Sequence, residues 1–301
     1  MKPLMTVFAM ALGLTSVTAA EGDYTEHFDT LYNSLTLERK GTIVEMRARA
    51  RGTEALESAV DLADPLRLVV PYTQVLYSGL LFQPTPQRTL MVGLGGAGFH
   101  RVFAEVFPES LLQTVELDPK VFELAQARMG FRPTERTPVM LMDGRMFMKR
   151  DRTQWDWIIL DAFRGGFVPP HLKTEEFYRE CAARLRDRGV FTTNLHPSSR
   201  LYAADLKTLQ RVFPQIMLFR TRGRGNVIAC AVKYAAPTLA EQLRRAPVEQ
   251  LTTQLGGRAD FAQLRDSLIG LPGDVAKAPV LTDDFAPVEF LDALKSNNTG
   301  E

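Results

Sequence analysis

The sequence predicts an α/β protein built on a doubly wound, mainly parallel sheet of seven strands. Three observations predict this fold. An apolar run ends in a glycine cluster at residues 90–98, short apolar runs alternate with helical patterns from residue 89 to 212, and two later strand patterns are joined by a short turn. Alternating strands and helices indicate a parallel sheet covered on both faces, whereas a short turn joins an antiparallel pair. We therefore expect a Rossmann-like sheet with an antiparallel edge hairpin.

Residues 21–86 are expected to form a small β-rich and partly helical segment before the main domain. Residues 31–38 and 43–49 have strand patterns separated by a plausible hairpin turn. An amphipathic helix is the alternative for residues 43–50, because Glu, Met, Arg and Ala all favour helix. A helix is expected over residues 72–81, and the two prolines that follow break the pattern.

The main domain is expected over residues 87–235. Its predicted strands cover residues 89–92, 112–116, 138–142, 155–160, 190–195, 215–220 and 227–232. Its predicted helices cover residues 98–106, 119–128, a short stretch after 144, 174–186 and 199–212. The strand over 155–160 is apolar almost throughout, which is typical of a strand buried on both faces. Residues 236–301 are expected to form a helical extension and tail.

The first twenty residues have the pattern of a secretory signal peptide. Lys2 precedes an apolar stretch of about ten residues, and small residues then lead to Ala19 and Ala20. A buried N-terminal helix is the alternative. Cleavage after Ala19 or Ala20 would give a periplasmic or secreted protein, and an uncleaved segment would give a cytoplasmic one. No other stretch is long and apolar enough to span a bilayer.

Composition and charge exclude some classes of function. The chain has 36 basic and 35 acidic residues, a net charge of +1, which makes no electrostatic case for nucleic acid as a partner. The four histidines lack metal-ligand spacing, so no metal is expected; His171 could face a site or be a plain loop residue. Cys181 and Cys230 permit at most one disulfide, and two separate core residues are the favoured interpretation.

The glycine cluster predicts a nucleotide-type ligand. It contains Gly93, Gly95, Gly96 and Gly98 at the end of the first strand of the main sheet. Glycines let the backbone approach a ligand closely, and an acid at the end of the next strand, here Glu116, can accept hydrogen bonds from ribose hydroxyls.

Carboxylates follow three successive strands of the predicted sheet. Glu116 ends the second strand, Asp143 follows the third, and Asp161 follows the fourth. Ligands of open α/β sheets bind beyond the carboxyl ends of the strands, so these acids should meet at one rim. Acids at such positions can also cap the next helix, which we expect of Asp118. Three acids would repel a pyrophosphate, so the pattern favours an adenosine-type ligand without phosphates.

Residues from about 64 to 197 resemble the spermidine synthase (polyamine aminopropyltransferase) family, which has the class I S-adenosylmethionine methyltransferase fold. The resemblance lies in residues 90–98, 115–119, 143–145, 156–161 and 169–178, and the C-terminal residues 281–289 are similar to the tail of the spermidine-synthase-like branch. It implies a transferase that binds S-adenosylmethionine or its decarboxylated form and transfers an aminopropyl group to a small-molecule amine. It also suggests a homodimer.

The resemblance implies a role for each rim residue. Glu116 would hold the ribose hydroxyls, and Asp143 would accept from the adenine amino group, with Gly144 letting the ring lie against the backbone. Asp161 would lie near the sulfonium and the carbon that is transferred. Tyr72 would help to line the amine side, or it is a core residue of its helix.

At two positions the residue type differs from that in the family members that make spermidine. Gly96 stands where they carry an aspartate that grips the aminopropyl amine, and Arg164 stands where a second aspartate helps to deprotonate the attacking amine. An arginine near a polyamine is repulsive, but it could pair with a carboxylate, which S-adenosylmethionine has and its decarboxylated form lacks. Two alternatives therefore stay open: a methyltransferase that uses S-adenosylmethionine, and an exported non-catalytic binding protein that retains the fold.

Overall fold

A four-stranded antiparallel sheet and an eight-stranded mixed sheet form the fold. The computed structural model of the protein describes residues 22–50, 53–163, 168–222 and 225–284. The predicted signal peptide, Arg164 and the end of the predicted tail lie outside these residues. No helix within the described ranges is both long enough and apolar enough to cross a membrane.

The N-terminal sheet is a meander whose strands pair in chain order. The strands are β1 (Tyr24–Asp29), β2 (Ser34–Lys40), β3 (Ile43–Ala50) and β4 (Thr53–Asp61). The antiparallel pairing of β2 with β3 confirms the predicted hairpin. The helical alternative for residues 43–50 is wrong, because the buried side chains in β3 are Val44, Met46 and Ala48, and a period of two is that of a strand.

Strand β4 contains a β-bulge at Glu57. Met46 pairs with Ser58, and the next residue of β3, Arg47, pairs with Leu56, so Glu57 is one extra residue in β4. A bulge bends the strand and redirects its side chains. This irregularity lies on the side of the N-terminal sheet that contributes to the site described below.

The main sheet contains strands β5 to β12. They are β5 (Arg88–Val92), β6 (Leu111–Glu116), β7 (Val139–Leu141), β8 (Trp155–Leu160), β9 (Leu185–Leu195), β10 (Gln215–Arg220), β11 (Val227–Val232) and β12 (Leu268–Ile269). Their spatial order is β12-β10-β11-β9-β8-β5-β6-β7. Strands β5 to β9 are parallel, and β11 is antiparallel to both β9 and β10, which confirms the predicted doubly wound sheet. The predicted count of seven is short by one, because the two-residue strand β12 pairs with the outer edge of β10.

Nine α-helices are described in the structure. They are α1 (Pro71–Leu76), α2 (Gly98–Val106), α3 (Pro119–Ala127), α4 (Gly144–Arg150), α5 (Glu175–Arg184), α6 (Tyr202–Val212), α7 (Leu239–Arg245), α8 (Val248–Gln254) and α9 (Phe261–Asp266). The predicted helix over 72–81 is α1 followed by a 3-10 helix, Tyr77–Leu81. The predicted helix over 174–186 runs too far, because buried Leu185 already pairs with Trp155 as the first residue of β9.

The main sheet is buried on both faces. All six residues of β8 are buried; Trp157 and Ile159 belong to one core cluster, and Ile158 and Leu160 belong to the other. This confirms the interpretation of the apolar run at 155–160. The two cysteines are also buried and free, one in each cluster, so they are separate core residues as predicted.

Candidate functional site

A cleft opens beyond the carboxyl ends of β5, β6 and β8, where the N-terminal sheet covers the rim of the main sheet. It has a volume of about 980 Å³, including the part open to solvent, which is enough for a small-molecule ligand. The predicted site residues that line it are Tyr72, Gly93, Gly95, Gly98, Glu116, Asp143, Gly144 and Asp161. Gly96 is not among the lining residues, and Arg164 lies outside the described part of the chain.

The glycine turn brings β5 close to the loop after β8. Gly93 and Gly95 have φ values of 105° and 52°, a region in which a side chain is strained. A Cβ atom on Gly93 would lie 2.2 Å from the carbonyl oxygen of Asp161. Glycine at position 93 is therefore what allows the turn and Asp161 to form one continuous wall of the cleft.

Gly96 faces the N-terminal sheet. Its N–H donates to Oγ of Ser58 at 2.8 Å, and a Cβ atom there would lie 2.5 Å from Cε of Met129 and 2.9 Å from Oγ of Ser58. The space that a side chain at position 96 would enter is already filled. Gly96 thus contributes to the support behind the cleft.

Glu116 is held between the glycine turn and the end of β6. Its side chain accepts the N–H of Leu94 at 2.9 Å and the N–H of Asp118 at 2.8 Å. Burial raises the pKa of Glu116 to about 7, although these hydrogen bonds favour the ionised form. Each carboxylate oxygen has a second lone pair, so the group can accept further hydrogen bonds from a ligand.

Asp143 caps a helix and pairs with a histidine. Its Oδ1 accepts the N–H of Met146 at 2.9 Å in the first turn of α4, and its Oδ2 lies 2.8 Å from Nε2 of His171. The pairing with His171 lowers the pKa of Asp143. His171 also lines the cleft, so it faces the site.

Gly144 follows Asp143 and begins α4. A Cβ atom on Gly144 would lie 2.4 Å from Cγ1 of Val92. The close packing of α4 against β5 therefore requires glycine at this position, and that packing places Asp143 at the rim.

Asp118 links the N-terminal sheet to the rim of the main sheet through hydrogen bonds. As predicted, it caps α3, because its Oδ1 accepts the N–H of Lys120 at 3.0 Å. Its Oδ2 accepts from Oγ1 of Thr30 at 2.6 Å and from Nδ2 of Asn33 at 3.1 Å. These bonds hold the turn between β1 and β2, and Tyr32 of that turn lines the cleft. No local pattern predicted this contact, because it joins residues far apart in the chain.

Asp161 is the centre of a hydrogen-bond network. The hydroxyl of Tyr72 donates to Oδ2 at 3.1 Å, and Nδ2 of Asn194 donates to Oδ1 at 2.9 Å. Asn226 in turn donates to Oδ1 of Asn194 at 2.7 Å. Burial raises the pKa of Asp161 to about 7, which is suitable for accepting a proton near neutral pH. Sequence reasoning missed both asparagines; the polar Asn194 within an apolar strand was the available signal.

The lining of the cleft is strongly acidic. It includes five acidic residues: Glu57, Glu116, Asp118, Asp143 and Asp161. No lysine or arginine stands among the lining residues that the structure describes. A concave site with one sign of charge attracts ligands of the opposite charge, so the cleft suits a cation and opposes a phosphate.

Known proteins are similar to this chain in sequence. The spermine/spermidine synthase domain matches residues 72–221. A polyamine aminopropyltransferase from Vibrio vulnificus (strain CMCP6) is 34% identical over 230 residues, which are 75% of this chain and 76% of that protein.

Solved structures share the fold. A probable spermidine synthase from Corynebacterium glutamicum ATCC 13032 aligns with a TM-score of 0.65 at 22% identity, over 90% of this chain and 99% of the other. Human methyltransferase-like protein 13, solved in complex with SAH, aligns with a TM-score of 0.50 at 27% identity, over 61% of this chain and 88% of the other. These likenesses confirm the predicted methyltransferase-like α/β fold. By its sequence, the chain belongs to the spermine/spermidine synthase family.

Proposed function

We propose that the protein is an aminopropyltransferase that uses decarboxylated S-adenosylmethionine and a small-molecule amine. The observation that carries this proposal is the acidic cleft, with five acidic residues and no described lysine or arginine in its lining. A sulfonium and an amine acceptor are both cationic, and carboxylates stabilise cations in a partly desolvated site. We infer the reaction type, aminopropyl transfer, from the membership of the chain in the spermine/spermidine synthase family.

The adenosine half of the co-substrate would lie against Glu116 and Asp143. Glu116 keeps lone pairs for the two ribose hydroxyls, and its place beside the glycine turn is that of a ribose-binding acid. Asp143 lies at the start of α4, where its carboxylate can accept from an amino group on adenine. The acceptor groups of this rim, which are mainly carboxylates, fit an adenosyl group without phosphates.

The amine nitrogen attacks the carbon next to the sulfonium in the proposed reaction. A C–N bond forms, the C–S bond breaks, and its electron pair stays on sulfur, so that 5′-methylthioadenosine leaves. The attacking nitrogen must lose one proton overall, and Asp161, with a pKa of about 7, can take it. Tyr72 and Asn194 orient Asp161 for this step through their hydrogen bonds.

A methyltransferase is the second candidate function. It is favoured by the likeness to a human methyltransferase-like protein solved with SAH. The cleft argues against it, because the α-carboxylate of S-adenosylmethionine would enter a site with five acids and no described basic residue. Arg164, outside the described residues, is the side chain on which this candidate depends.

Product analysis by mass spectrometry separates the candidates. We expect the full-length protein, given decarboxylated S-adenosylmethionine and putrescine, to release 5′-methylthioadenosine in an amine-dependent reaction. Release of S-adenosylhomocysteine from S-adenosylmethionine would establish the methyltransferase instead. Failure to bind either sulfonium at millimolar concentration would leave the exported, non-catalytic binding protein.

A further inference from the structure

An acidic residue of the N-terminal sheet lines the cleft. Glu57 is the extra residue of the bulge in β4, and it lines the cleft together with the next residue, Ser58. Successive side chains of a regular strand point to opposite faces. The bulge is the feature that lets two consecutive residues of β4 contribute to one site, and bulges next to active sites often redirect a side chain in this way.

The bulge lies next to Tyr72, whose hydroxyl also contacts Asp161. The hydroxyl of Tyr72 lies 3.3 Å from the carbonyl oxygen of Glu57 and 3.1 Å from Oδ2 of Asp161. Burial raises the pKa of Tyr72 most, followed by the charge of Asp161, the hydrogen bond to Asp161 and then the charge of Glu57. The carboxylate of Glu57 is therefore within electrostatic reach of the group that orients Asp161.

The same part of β4 fills the space beside the glycine turn. Oγ of Ser58 accepts the N–H of Gly96, and a Cβ atom at position 96 would meet Ser58 and the end of the Met129 side chain. The glycine turn itself has no acid at position 96. Among the described lining residues that come from the N-terminal sheet, Glu57 is the one with a charge.

We propose that Glu57 binds a primary ammonium group of a substrate and takes the place of the acid that is missing at Gly96. The ammonium belongs either to the aminopropyl arm of the sulfonium or to the amine acceptor. A carboxylate and an ammonium form a strong, charge-assisted hydrogen bond. With Glu57 as the anchor, Asp161 stays available to accept the proton, so two carboxylates have two separate roles. This inference rests on the proposed aminopropyl transfer, because it assigns one substrate contact within the same cleft.

The test compares the isosteric variant Glu57→Gln with Glu54→Gln. Glu54 is a matched control because it lies on the same strand but not in the lining of the cleft. Calorimetric titration uses decarboxylated S-adenosylmethionine and 5′-methylthioadenosine, which has the same nucleoside and no ammonium. We expect Glu57→Gln to weaken binding of the sulfonium by about tenfold or more, with binding of methylthioadenosine unchanged and Glu54→Gln like the wild type.

Steady-state kinetics distinguish the two sources of the ammonium. If the acceptor supplies it, Glu57→Gln leaves sulfonium binding unchanged and raises KM for putrescine by about tenfold. Unchanged sulfonium binding together with an unchanged KM overturns this inference alone. An equal loss of affinity for decarboxylated S-adenosylmethionine and for 5′-methylthioadenosine also overturns it. The ammonium group, which only the first ligand has, would then not be the cause of the loss. A wild-type protein that binds neither nucleoside refutes the proposed function and this inference with it.

Discussion

Glu116 and Asp161 are acids whose protonation should respond to ligand binding. Both have a pKa of about 7 because burial disfavours the charged form. A bound cation favours the ionised form and so lowers both pKa values. We expect binding of decarboxylated S-adenosylmethionine to release protons below about pH 7 and its affinity to increase as the pH rises through about 7.

Calorimetry in two buffers of different ionisation enthalpy measures the released protons directly. A titration series at several pH values gives the affinity. An affinity that falls as the pH rises through neutrality would contradict the assignment of a cationic ligand to these two acids.

Replacing Asp161 by asparagine should separate catalysis from stability. An amide at this position could donate to the oxygen of Tyr72, whose hydroxyl could then donate to the carbonyl of Glu57. We expect kcat of Asp161→Asn to fall by about 10²–10⁴, the usual contribution of a general base. The free energy of unfolding above pH 7 should not fall, because a buried charge has been removed.

The sign of the stability effect follows from the raised pKa. The folded protein keeps a proton on Asp161 at pH values where the unfolded chain has lost it, so this acid contributes less to stability as the pH rises to about 7. Denaturant titrations of the wild type and the variant at pH 8 check the prediction. A variant that is folded and fully active would show that Asp161 is not the base.

The end of the described chain contacts helix α4, which follows Asp143. The guanidinium of Arg145 in α4 donates to both carboxylate oxygens of Asp283, at 2.5 and 2.6 Å, and also pairs with Glu180 of α5. Leu281 is buried, and its N–H donates to Oγ1 of Thr208 in α6. The segment before residue 285 thus links three helices on one side of the sheet.

We expect Asp283→Asn to lower the free energy of unfolding by about 1 kcal/mol, because it removes a charge-assisted pair that is partly exposed to solvent. Asp284→Asn is the matched control, since Asp284 is the exposed neighbour and should change stability little. Urea denaturation of both variants checks this. Equal stability of the two variants would contradict a structural role for the pair.

The elements show what local patterns can and cannot predict. Helix α2 and strands β8, β10 and β11 have the predicted bounds, because their apolar patterns are continuous and end at turn residues. Strand β12 was missed because two residues cannot show a period. The bulge at Glu57 was missed because it depends on register with β3, which no pattern within β4 reports.

At the scale of the whole molecule, the cleft lies between two sheets that are formed by different parts of the chain. The acids at the ends of β6, β7 and β8 could be predicted from sequence, since parallel strands deliver their carboxyl ends to one rim. The other wall, with Tyr32 and Glu57, could not, because it depends on how the N-terminal sheet packs over that rim. The predicted homodimer stays a prediction that light scattering in solution can test.

We propose that the protein is exported after cleavage behind Ala19 or Ala20. The basic start, the apolar stretch and the small residues before the cleavage point support this. We expect protein purified from its native cells to begin at Ala20 or Glu21, as determined by N-terminal sequencing. A chain that begins at Met1 would contradict export by cleavage.

The acidic residues of the lining should make this cleft selective for a cation. The ratio of Kd values for S-adenosylmethionine and its decarboxylated form tests it most directly, because these two ligands differ by one carboxylate. We predict that the wild-type protein binds the decarboxylated form more tightly by about tenfold or more, since each added negative charge is repelled by the acidic lining. Equal or tighter binding of S-adenosylmethionine would contradict the account.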